Sequence, residues 1–305
     1  MKKTILITGG AGFIGSHLTE NLVQEFNIIV VDNLSTGYIK NLESVIDKIN
    51  FIKNDIELVN LYKLGKIDVI VHLSAQTSVP LSIQEFKKSS NQNLIGALNV
   101  IDFSSMNNVP IVYASSSAVY GNLSKGDDDS SEVDLISPYA VDKYVMEKYL
   151  EMSYKLYGLS SIGLRFFNVF GPRQDPTNPY SGVISIFIDN LISGKKIKVN
   201  GGYQTRDFVY VLDVVNAIKK SIGLVINKPT FEVVNVLSGY SCSIDKLVEI
   251  LAKLTSTKPK VERKILPHGD PVKSDGTIEK MSSILGIELN SLTSLELGLK
   301  KIIEN

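Results

Sequence analysis

Apolar residues in this chain come in short runs, and most runs are followed by a longer stretch with helical spacing. Thr4 to Thr8 is the first run. After it, Leu18, Leu22 and Val23 fall on one helix face. Ile28 to Val31, Phe51 to Asn54, Asp68 to Leu73, Val109 to Tyr113 and Ser161 to Phe167 repeat the strand signal. Helical patterns run from about Glu85 to Asn107 and onward from Pro138. Strands and helices alternating in this way predict a doubly wound α/β fold, a parallel sheet with helices on both faces. Ligands of such a sheet bind outside the carboxyl ends of its strands.

The alternation loosens after Phe167. Prolines and glycines cluster through Gly182, as in a loop-rich lobe. Helix patterns recur at Val183 to Ile192, Val211 to Leu224, Ser243 to Leu254 and Thr293 to Ile303. A short strand pair is predicted around Lys196 to Val199 and Val233 to Val236. The expected organisation is a parallel-sheet domain over residues 1–167, with later segments, about 197–225, returning to it. A smaller mixed C-terminal lobe takes most of 168–305. No internal repeat or low-complexity linker interrupts the chain.

Composition narrows the classes. The 305 residues carry 32 basic and 32 acidic side chains, so no net charge draws the chain to nucleic acid or an anionic membrane. No apolar run approaches the ~20 residues of a membrane span. Met1 to Thr8 begins like a signal peptide, but its apolar core is short and runs into glycines, so it reads as a strand. We expect a cytoplasmic chain. Cys242 is the only cysteine, which excludes an internal disulfide. His17, His72 and His268 are too scattered to suggest a zinc site, and no metal is expected.

Candidate chemistry sits at the strand ends. Gly9-Gly10-Ala11-Gly12-Phe13-Ile14-Gly15 lies between the first strand and its helix. Glycines there let the backbone approach a pyrophosphate, and a helix N-terminus offers free N–H groups to it. In that context the fingerprint predicts dinucleotide binding. The second strand ends in Asp32-Asn33-Leu34-Ser35-Thr36-Gly37. Asp32 can accept a hydrogen bond from an adenosine ribose 2′-OH and would repel a 2′-phosphate, which favours NAD over NADP. As a residue alone it can equally cap a turn. Asp55 and Ile56 end the third strand and can meet an adenine edge. Leu73 to Pro80 follows the fourth, with small residues that let a cofactor lie close. Asn93 on the next helix reads, without further context, as a solvated polar residue. Lys125 to Ser131 is an acidic loop with no assignable chemistry.

Two later stretches complete the set: Ala114 to Gly121, after an apolar run, and Ser137 to Tyr144, which opens a helix. Ser137 suits an N-cap and Pro138 the first helical position. Tyr139 and Lys143 are four residues apart and share a helix face. An ammonium beside a phenol favours phenolate and lowers its pKa from ~10. Ser, Tyr and Lys together can move a proton on or off a sugar hydroxyl while a nicotinamide takes or returns hydride. Tyr and Lys alone at this spacing are commonplace; the rest of the chain is what gives them meaning.

With these motifs in place, the chain resembles the extended short-chain dehydrogenase/reductases, and among them the NAD-dependent nucleotide-sugar epimerases. The motifs are Thr8 to Gly15, Asp32 to Gly37, Asn93 to Asn99, Ser115 to Gly121, Ser137 to Lys143, Arg165 to Pro172 and Arg206 to Tyr210. Similarity is greatest to UDP-glucose and UDP-N-acetylglucosamine 4-epimerases, with Gly171 to Phe187 similar to the latter branch. The resemblance implies a Rossmann domain with tightly held NAD and a substrate lobe for a UDP-sugar. It implies that Tyr139, assisted by Ser116, removes the C4-hydroxyl proton, and that Lys143 binds the nicotinamide ribose and depresses the Tyr139 pKa. It implies cofactor contacts at Gly9, Gly12, Phe13, Ile14, Gly15, Asp32, Asn33, Ser35, Thr36, Gly37, Asp55, Ile56, Leu73, Ala75, Gln76, Asn93, Tyr139, Lys143 and Phe167. Substrate contacts are implied at Ser78, Ser116, Ser117, Tyr139, Asn168, Gln174, Val183, Arg206, Asp270 and Ser274. Read as residues only, Arg206 and Asp207 can form a local ion pair, and Asn168 can be a turn residue. Family members commonly pair through two helices per subunit, here those after Asn91 and Pro138, so a homodimer is expected.

Two departures from the family pattern stand out. An arginine that usually grips the diphosphate is replaced by Pro267; Arg263 is a nearby substitute. Ser274 stands where a bulky aromatic would block an N-acetyl group, which leaves room for N-acetylhexosamines. Among other activities of the family, 4,6-dehydration needs an Asp-Glu pair where this chain has Ser115-Ser116-Ser117-Ala118. A uronate epimerase or decarboxylase needs a cation for the C6 carboxylate, which sequence alone leaves open. Asp32 argues against an NADPH-consuming reductase. A non-catalytic nucleotide-binding regulator typically lacks part of the Ser, Tyr and Lys set, all of which is present.

Overall fold

The computed structural model describes residues 2–178, 182–266 and 270–304. The chain runs β1 (Thr4–Thr8), α1 (Phe13–Leu22), β2 (Asn27–Asp32), β3 (Ile49–Lys53), β4 (Val69–His72), α2 (Val79–Gln84), α3 (Phe86–Asn107) and β5 (Ile111–Ser116). It continues through α4 (Pro138–Tyr157), β6 (Ser161–Phe166), β7 (Asn168–Phe170), α5 (Val183–Ile192), β8 (Ile197–Asn200), β9 (Thr205–Tyr210) and α6 (Val211–Asn227). Then come β10 (Phe231–Val236), β11 (Ser241–Ser243), α7 (Ile244–Leu254), β12 (Val261–Lys264), α8 (Glu279–Leu285) and α9 (Leu295–Ile303).

The chain divides into two compact units. The first comprises residues 1–116, 137–165 and 215–234. Its frame is a seven-stranded sheet in the order β10-β6-β5-β4-β1-β2-β3. The pairs β3–β2, β2–β1, β1–β4 and β4–β5 are parallel. This is the expected doubly wound α/β architecture. The order reverses between β1 and β4, so the carboxyl ends of those strands flank the switch point. Ile5, Leu6 and Ile7 of β1 and Val69, Ile70 and Val71 of β4 have no exposed surface. Central parallel strands are covered on both faces, which is why they read as unbroken apolar runs. One face of the sheet packs Leu6, Ile70 and Ile111 against Val100 and Ala97 of α3 and Met146 of α4.

The ends of α4 follow from local chemistry. Ser137 Oγ accepts the Ala140 N–H, Pro138 takes the first helical position, and Gly158 closes the helix at φ 70°. Asn108 ends α3 in the same left-handed region, at φ 50°.

The second unit comprises residues 117–136, 166–214 and 235–305. It holds a three-stranded sheet, β11-β9-β7, in which β9 pairs parallel with β7 and antiparallel with β11. A separate parallel pair joins β8 and β12.

Two organisational expectations meet a different arrangement. The segments around Lys196 to Val199 and Val233 to Val236 are both strands, but they are not partners. β10 follows helix α6 and joins the β6 edge of the large sheet, whereas β8 pairs with β12. All four residues of β12 are exposed, so its sequence carries no apolar strand signal. The division also departs from the 1–167 boundary. Residues 117–136 belong to the second unit, and it is 215–234 that returns to the first, not about 197–225. A buried knot explains the first shift. Asp128, in the loop with no assigned chemistry, accepts the Asn235 N–H at 2.7 Å and the Thr277 hydroxyl at 2.7 Å. Asn235 Oδ1 accepts the Tyr120 hydroxyl at 2.7 Å.

Candidate active site

The glycine turn is built by close approach. Gly9 has φ 72°, and a Cβ there would lie 2.8 Å from the Ser74 nitrogen. A Cβ on Gly15 would come within 2.1 Å of the Gly9 carbonyl oxygen, so α1 can start this close to β1 only without one. Gly12 is the N-cap of α1 and supplies no side chain to its first turn. A Cβ on Gly12 would meet one neighbour, the Gly9 oxygen at 3.2 Å. The first-turn N–H groups, including those of Phe13 and Ile14, are therefore left to an incoming anion, and a pyrophosphate suits them.

Asp32 knits this turn to the end of β2. Its carboxylate accepts the Ala11 N–H at 2.9 Å and the Leu34 N–H at 2.8 Å. Burial pushes its pKa above 3.8, and the two backbone bonds pull it back. The turn-capping role is thus real. Each oxygen accepts one of these bonds and retains a second lone pair for a ribose hydroxyl. Beside it Asn33, Ser35 and Thr36 are exposed, while Gly37 packs against Ala11, where a Cβ would lie 2.8 Å from the Ala11 carbonyl carbon. Asn33 Nδ2 donates to Asp55 at 3.0 Å. Ile56 is buried, and its carbonyl accepts Asn99 Nδ2 at 2.6 Å.

At the end of β4, the Leu73 and Ser74 N–H groups donate to Thr8 Oγ1 at 3.2 Å each. Ala75 and Gln76 continue this half-buried turn. Asn93 is buried and not a solvated helix residue. Its Oδ1 accepts the Gln76 N–H at 2.8 Å, and its Nδ2 donates to the Gln76 carbonyl at 3.2 Å. Ser78 is buried and caps α2. His72 lies beneath, 2.8 Å from Thr8 Oγ1, and burial pushes it down to about 3, so it is neutral.

Ser116, Tyr139 and Lys143 come together at the end of β5. The Ser116 hydroxyl neighbours the Tyr139 phenol and favours its ionised form. Lys143 Nζ lies 5.8 Å from the Tyr139 ring centroid and donates to the Ala114 carbonyl at 2.8 Å. The electrostatics differ from expectation in one respect. Burial pushes the Tyr139 phenol above 10.0, the Ser116 hydroxyl pulls it back, and Asp142 pushes it further up. Lys143 stands beside this phenol. Burial penalises the ammonium too and takes it down to about 8, against the pull of Asp142 and Glu147.

Three charged residues around this cluster escape sequence reasoning. Glu147, one turn past Lys143, accepts the Ser115 hydroxyl at 2.5 Å. It also forms a bidentate pair with Arg165, at 2.9 Å and 2.7 Å. Asp142 is buried against Asn93. The available signal was spacing: Tyr139, Lys143 and Glu147 recur every four residues on a helix face that has to be buried.

The second unit carries the remaining candidates. Ser117 opens a helical turn through Tyr120. Phe167 is buried, 6.4 Å from the Tyr120 ring and against Gly276. Asn168 Nδ2 donates to the Asp207 carbonyl at 3.1 Å. Gln174 donates to the Val169 carbonyl at 3.4 Å, and Val183 starts α5. Arg206 donates to the Thr205 carbonyl at 2.7 Å and to the Asp270 carboxylate. It does not pair with Asp207, which accepts the Ser238 N–H at 2.7 Å and whose own N–H donates to the Ser274 carbonyl at 3.2 Å. Arg263 is paired with Asp245 at 2.9 Å. Pro267 lies outside the described residues.

The first unit thus offers an anion seat at a helix N-terminus and a hydroxyl–phenol–ammonium cluster at a strand end. That combination can hold a dinucleotide and pass a proton. Comparison with known proteins agrees. The profile of the NAD dependent epimerase/dehydratase family matches residues 5–236. The chain is 37% identical to a UDP-glucose 4-epimerase of Mycolicibacterium smegmatis over 228 residues, 72% of each chain. It is 34% identical to a UDP-N-acetyl-alpha-D-glucosaminuronate decarboxylase of Bacillus cytotoxicus, covering 100% of this chain and 98% of that one. A solved UDP-N-acetylglucosamine 4-epimerase of Methanobrevibacter ruminantium, in complex with UDP-N-acetylmuramic acid, superposes with a TM-score of 0.92. It is 33% identical, with 100% of this chain and 98% of that chain covered.

Proposed function

The chain belongs to the NAD-dependent epimerase/dehydratase family, and on that premise we propose that it inverts C4 of a UDP-hexose or UDP-N-acetylhexosamine. The observation that carries this reading is the placement of Ser116 at the end of β5 beside Tyr139 and Lys143, which share one buried face of α4. NAD fits the first unit. The turn Gly9 to Gly15 would hold its pyrophosphate, Asp32 and the Asn33 to Gly37 turn its adenosine ribose, and Asp55 and Ile56 its adenine. Leu73, Ala75, Gln76 and Asn93 would line its path, and Lys143 would hold its nicotinamide ribose. Phe167 is a further expected contact. Bound NAD would accept hydride from C4 and give it back to the opposite face of the same carbon.

Tyr139 would take the C4-hydroxyl proton, and Ser116 would share it. The phenol is held high by burial, so it needs a nearby positive charge to ionise. Lys143 and an oxidised nicotinamide would both supply one. Ser78, Ser117, Asn168, Gln174, Val183, Arg206, Asp270 and Ser274 are the residues we propose for the UDP-sugar. Arg206 suits a diphosphate, since a guanidinium donates two parallel bonds. Ser274 leaves space for an N-acetyl group. We further propose a homodimer joined through α3 and α4. Ile95 and Met106 on α3 and Tyr149 and Met152 on α4 are exposed apolar residues that support it.

The similarity to a uronate decarboxylase favours one second reading. A 4-keto uronate is a β-keto acid and can lose carbon dioxide, so the same oxidation step would serve. The test is to incubate the protein separately with UDP-N-acetylglucosamine, UDP-glucose and their uronates, without added NAD. NMR then identifies the sugars. A C4 epimer is the expected product. Loss of the C6 carbon from a uronate, without any epimer, would replace the epimerase reading with decarboxylation. Stoichiometric NADH after NAD is supplied would replace it with net oxidation.

A further inference from the structure

Asp142 has no role in the proton transfer described above, yet it is a carboxylate only 3% exposed, on the turn of α4 between Tyr139 and Lys143. Asn93 of α3 donates to it through Nδ2 at 3.2 Å. Asn93 in turn brackets the Gln76 backbone through its N–H and its carbonyl. The Gln76 side chain donates to Ser89 Oγ at 2.9 Å and to the Ser78 carbonyl at 3.1 Å, and it accepts the Ser78 N–H. Ser78 caps α2, and Ser82 of α2 accepts the Tyr139 N–H at 3.3 Å. A closed path therefore leads from Asp142 through Asn93, the Gln76–Ser78 turn and α2, and back to Tyr139.

The hydrogen bond from Asn93 to Asp142 could be met by a neutral amide oxygen. A buried carboxylate costs more, because its charge loses hydration. The charge itself therefore needs a reason. Few charged groups face Tyr139. α4 supplies Asp142 and Lys143, with Glu147 acting on Lys143. β4 supplies His72, which is neutral. β5 supplies the Ser116 hydroxyl, α2 the Ser82 hydroxyl, and α3 the uncharged Ser90 and Asn93.

We propose that Asp142 is a positioning residue for proton transfer: through Asn93 it keeps the Gln76–Ser78 turn in register with the Tyr139 end of α4, and its charge biases Tyr139 toward the protonated phenol. This rests on Tyr139 being the acid–base group. The shift it imposes on Tyr139 is upward, in keeping with the sign of its charge.

Two variants separate position from charge. Asp142→Asn keeps an acceptor for Asn93 but removes the charge; Asp142→Ala removes both. Phenolate absorbance is titrated in each protein against the same protein carrying Tyr139→Phe, which isolates Tyr139 among 13 tyrosines. Amide hydrogen exchange follows Gln76 and Ser78. Asp142→Asn is expected to move the Tyr139 titration down by about one pH unit. The low-pH limb of kcat should move the same way, with Gln76 exchange unchanged. Asp142→Ala is expected to speed exchange at Gln76 by about tenfold or more. An unmoved Tyr139 titration in Asp142→Asn would overturn the charge role. Unchanged Gln76 exchange in Asp142→Ala would overturn the positioning role. Should Asp142→Ala not fold while Asp142→Asn keeps full exchange protection, the positioning role stands on the rescue. If no UDP-sugar is turned over, the proposed function fails, but titration and exchange still decide the role of Asp142.

Discussion

In the first unit Arg165 meets Glu147 through two hydrogen bonds, and both side chains are about 95% buried, with exposures of 5% and 4%. In the second unit Arg206 meets Asp270, whose side chain is 39% exposed, and its other bond goes to its own neighbour's carbonyl. The first pair lies behind β5, where Glu147 also holds Ser115, the residue before Ser116. Its two side chains are sealed within the frame. The second pair faces a partner that water can replace. A diphosphate entering there would exchange one anion for another, which costs less than exposing a buried charge. The difference separates an arginine whose pair is sealed from water from one whose pair stands partly in it, and the second is the one we propose for the diphosphate.

The largest expected effect lies in the first unit. Tyr139→Phe removes the proton carrier but little volume, so the fold and bound NAD should survive. Turnover should fall by about 10²–10⁴-fold. Epimer formation and NAD content after gel filtration check this together. Loss of NAD along with activity would mean that Tyr139 belongs to the frame, as Arg165 does.

Glu147→Ala tests the frame itself. It leaves the Arg165 charge buried without its carboxylate and should cost about 3–5 kcal/mol in urea unfolding. Replacing both residues by apolar side chains of similar volume should recover most of that, since the pair's attraction roughly balances its desolvation. If the double replacement is stable but slow, the pair matters for placing Ser116 and not only for stability.

The same contrast decides what could be read from the sequence. The start of α4 was legible because Ser137 and Pro138 act on their immediate neighbours. β1 and β4 were legible because burial on both faces leaves an unbroken apolar run. β12 was not, since Val261 to Lys264 is exposed along its length and owes its strand to β8. The placement of residues 117–136 was hidden for a similar reason: Asp128 finds its partner 107 residues away, at Asn235. Asn93 read as solvated because asparagine usually is. Its spacing with Gly96, Ala97 and Val100 puts it on the buried face, and that spacing outweighs residue type. The upward shift of Tyr139 was missed because a Tyr–Lys spacing reports proximity but not desolvation.

Two buried groups, one in each unit, respond to pH in opposite senses. Burial lowers Lys143 from 10.5 to about 8, so the folded first unit binds fewer protons than the unfolded chain between those values. Stability from this group is present above 10.5 and lost as pH falls through 8, by about 3 kcal/mol. Burial raises Asp207 in the second unit from 3.8 to about 6, against its backbone hydrogen bonds. Its contribution is present below 3.8 and lost as pH rises through 6, also by about 3 kcal/mol. His72, lowered to about 3, acts oppositely in that acidic window, so the comparison has to be made against variants. Lys143→Met should flatten the alkaline slope of unfolding free energy, and Asp207→Asn should steepen the rise of stability with pH between 3.8 and 6. Unaltered slopes would mean that these groups are hydrated in solution.

Arg206→Ala should have the smallest effect on the fold and a selective effect on binding. Its partner Asp270 is already partly in water, so little buried charge is stranded and unfolding should shift by about 1 kcal/mol or less. A charge-assisted contact to a diphosphate is worth about 1.5–3 kcal/mol, which corresponds to a rise in KM of roughly 10–100-fold. kcat should stay close to that of the parent, because the contact is the same in the ground and transition states. Arg206→Lys keeps the charge but loses the planar fork and should recover only part of the affinity. A fall in kcat with KM unchanged would place Arg206 beside Arg165 as a residue of the frame, and the distinction between the two arginines would not hold.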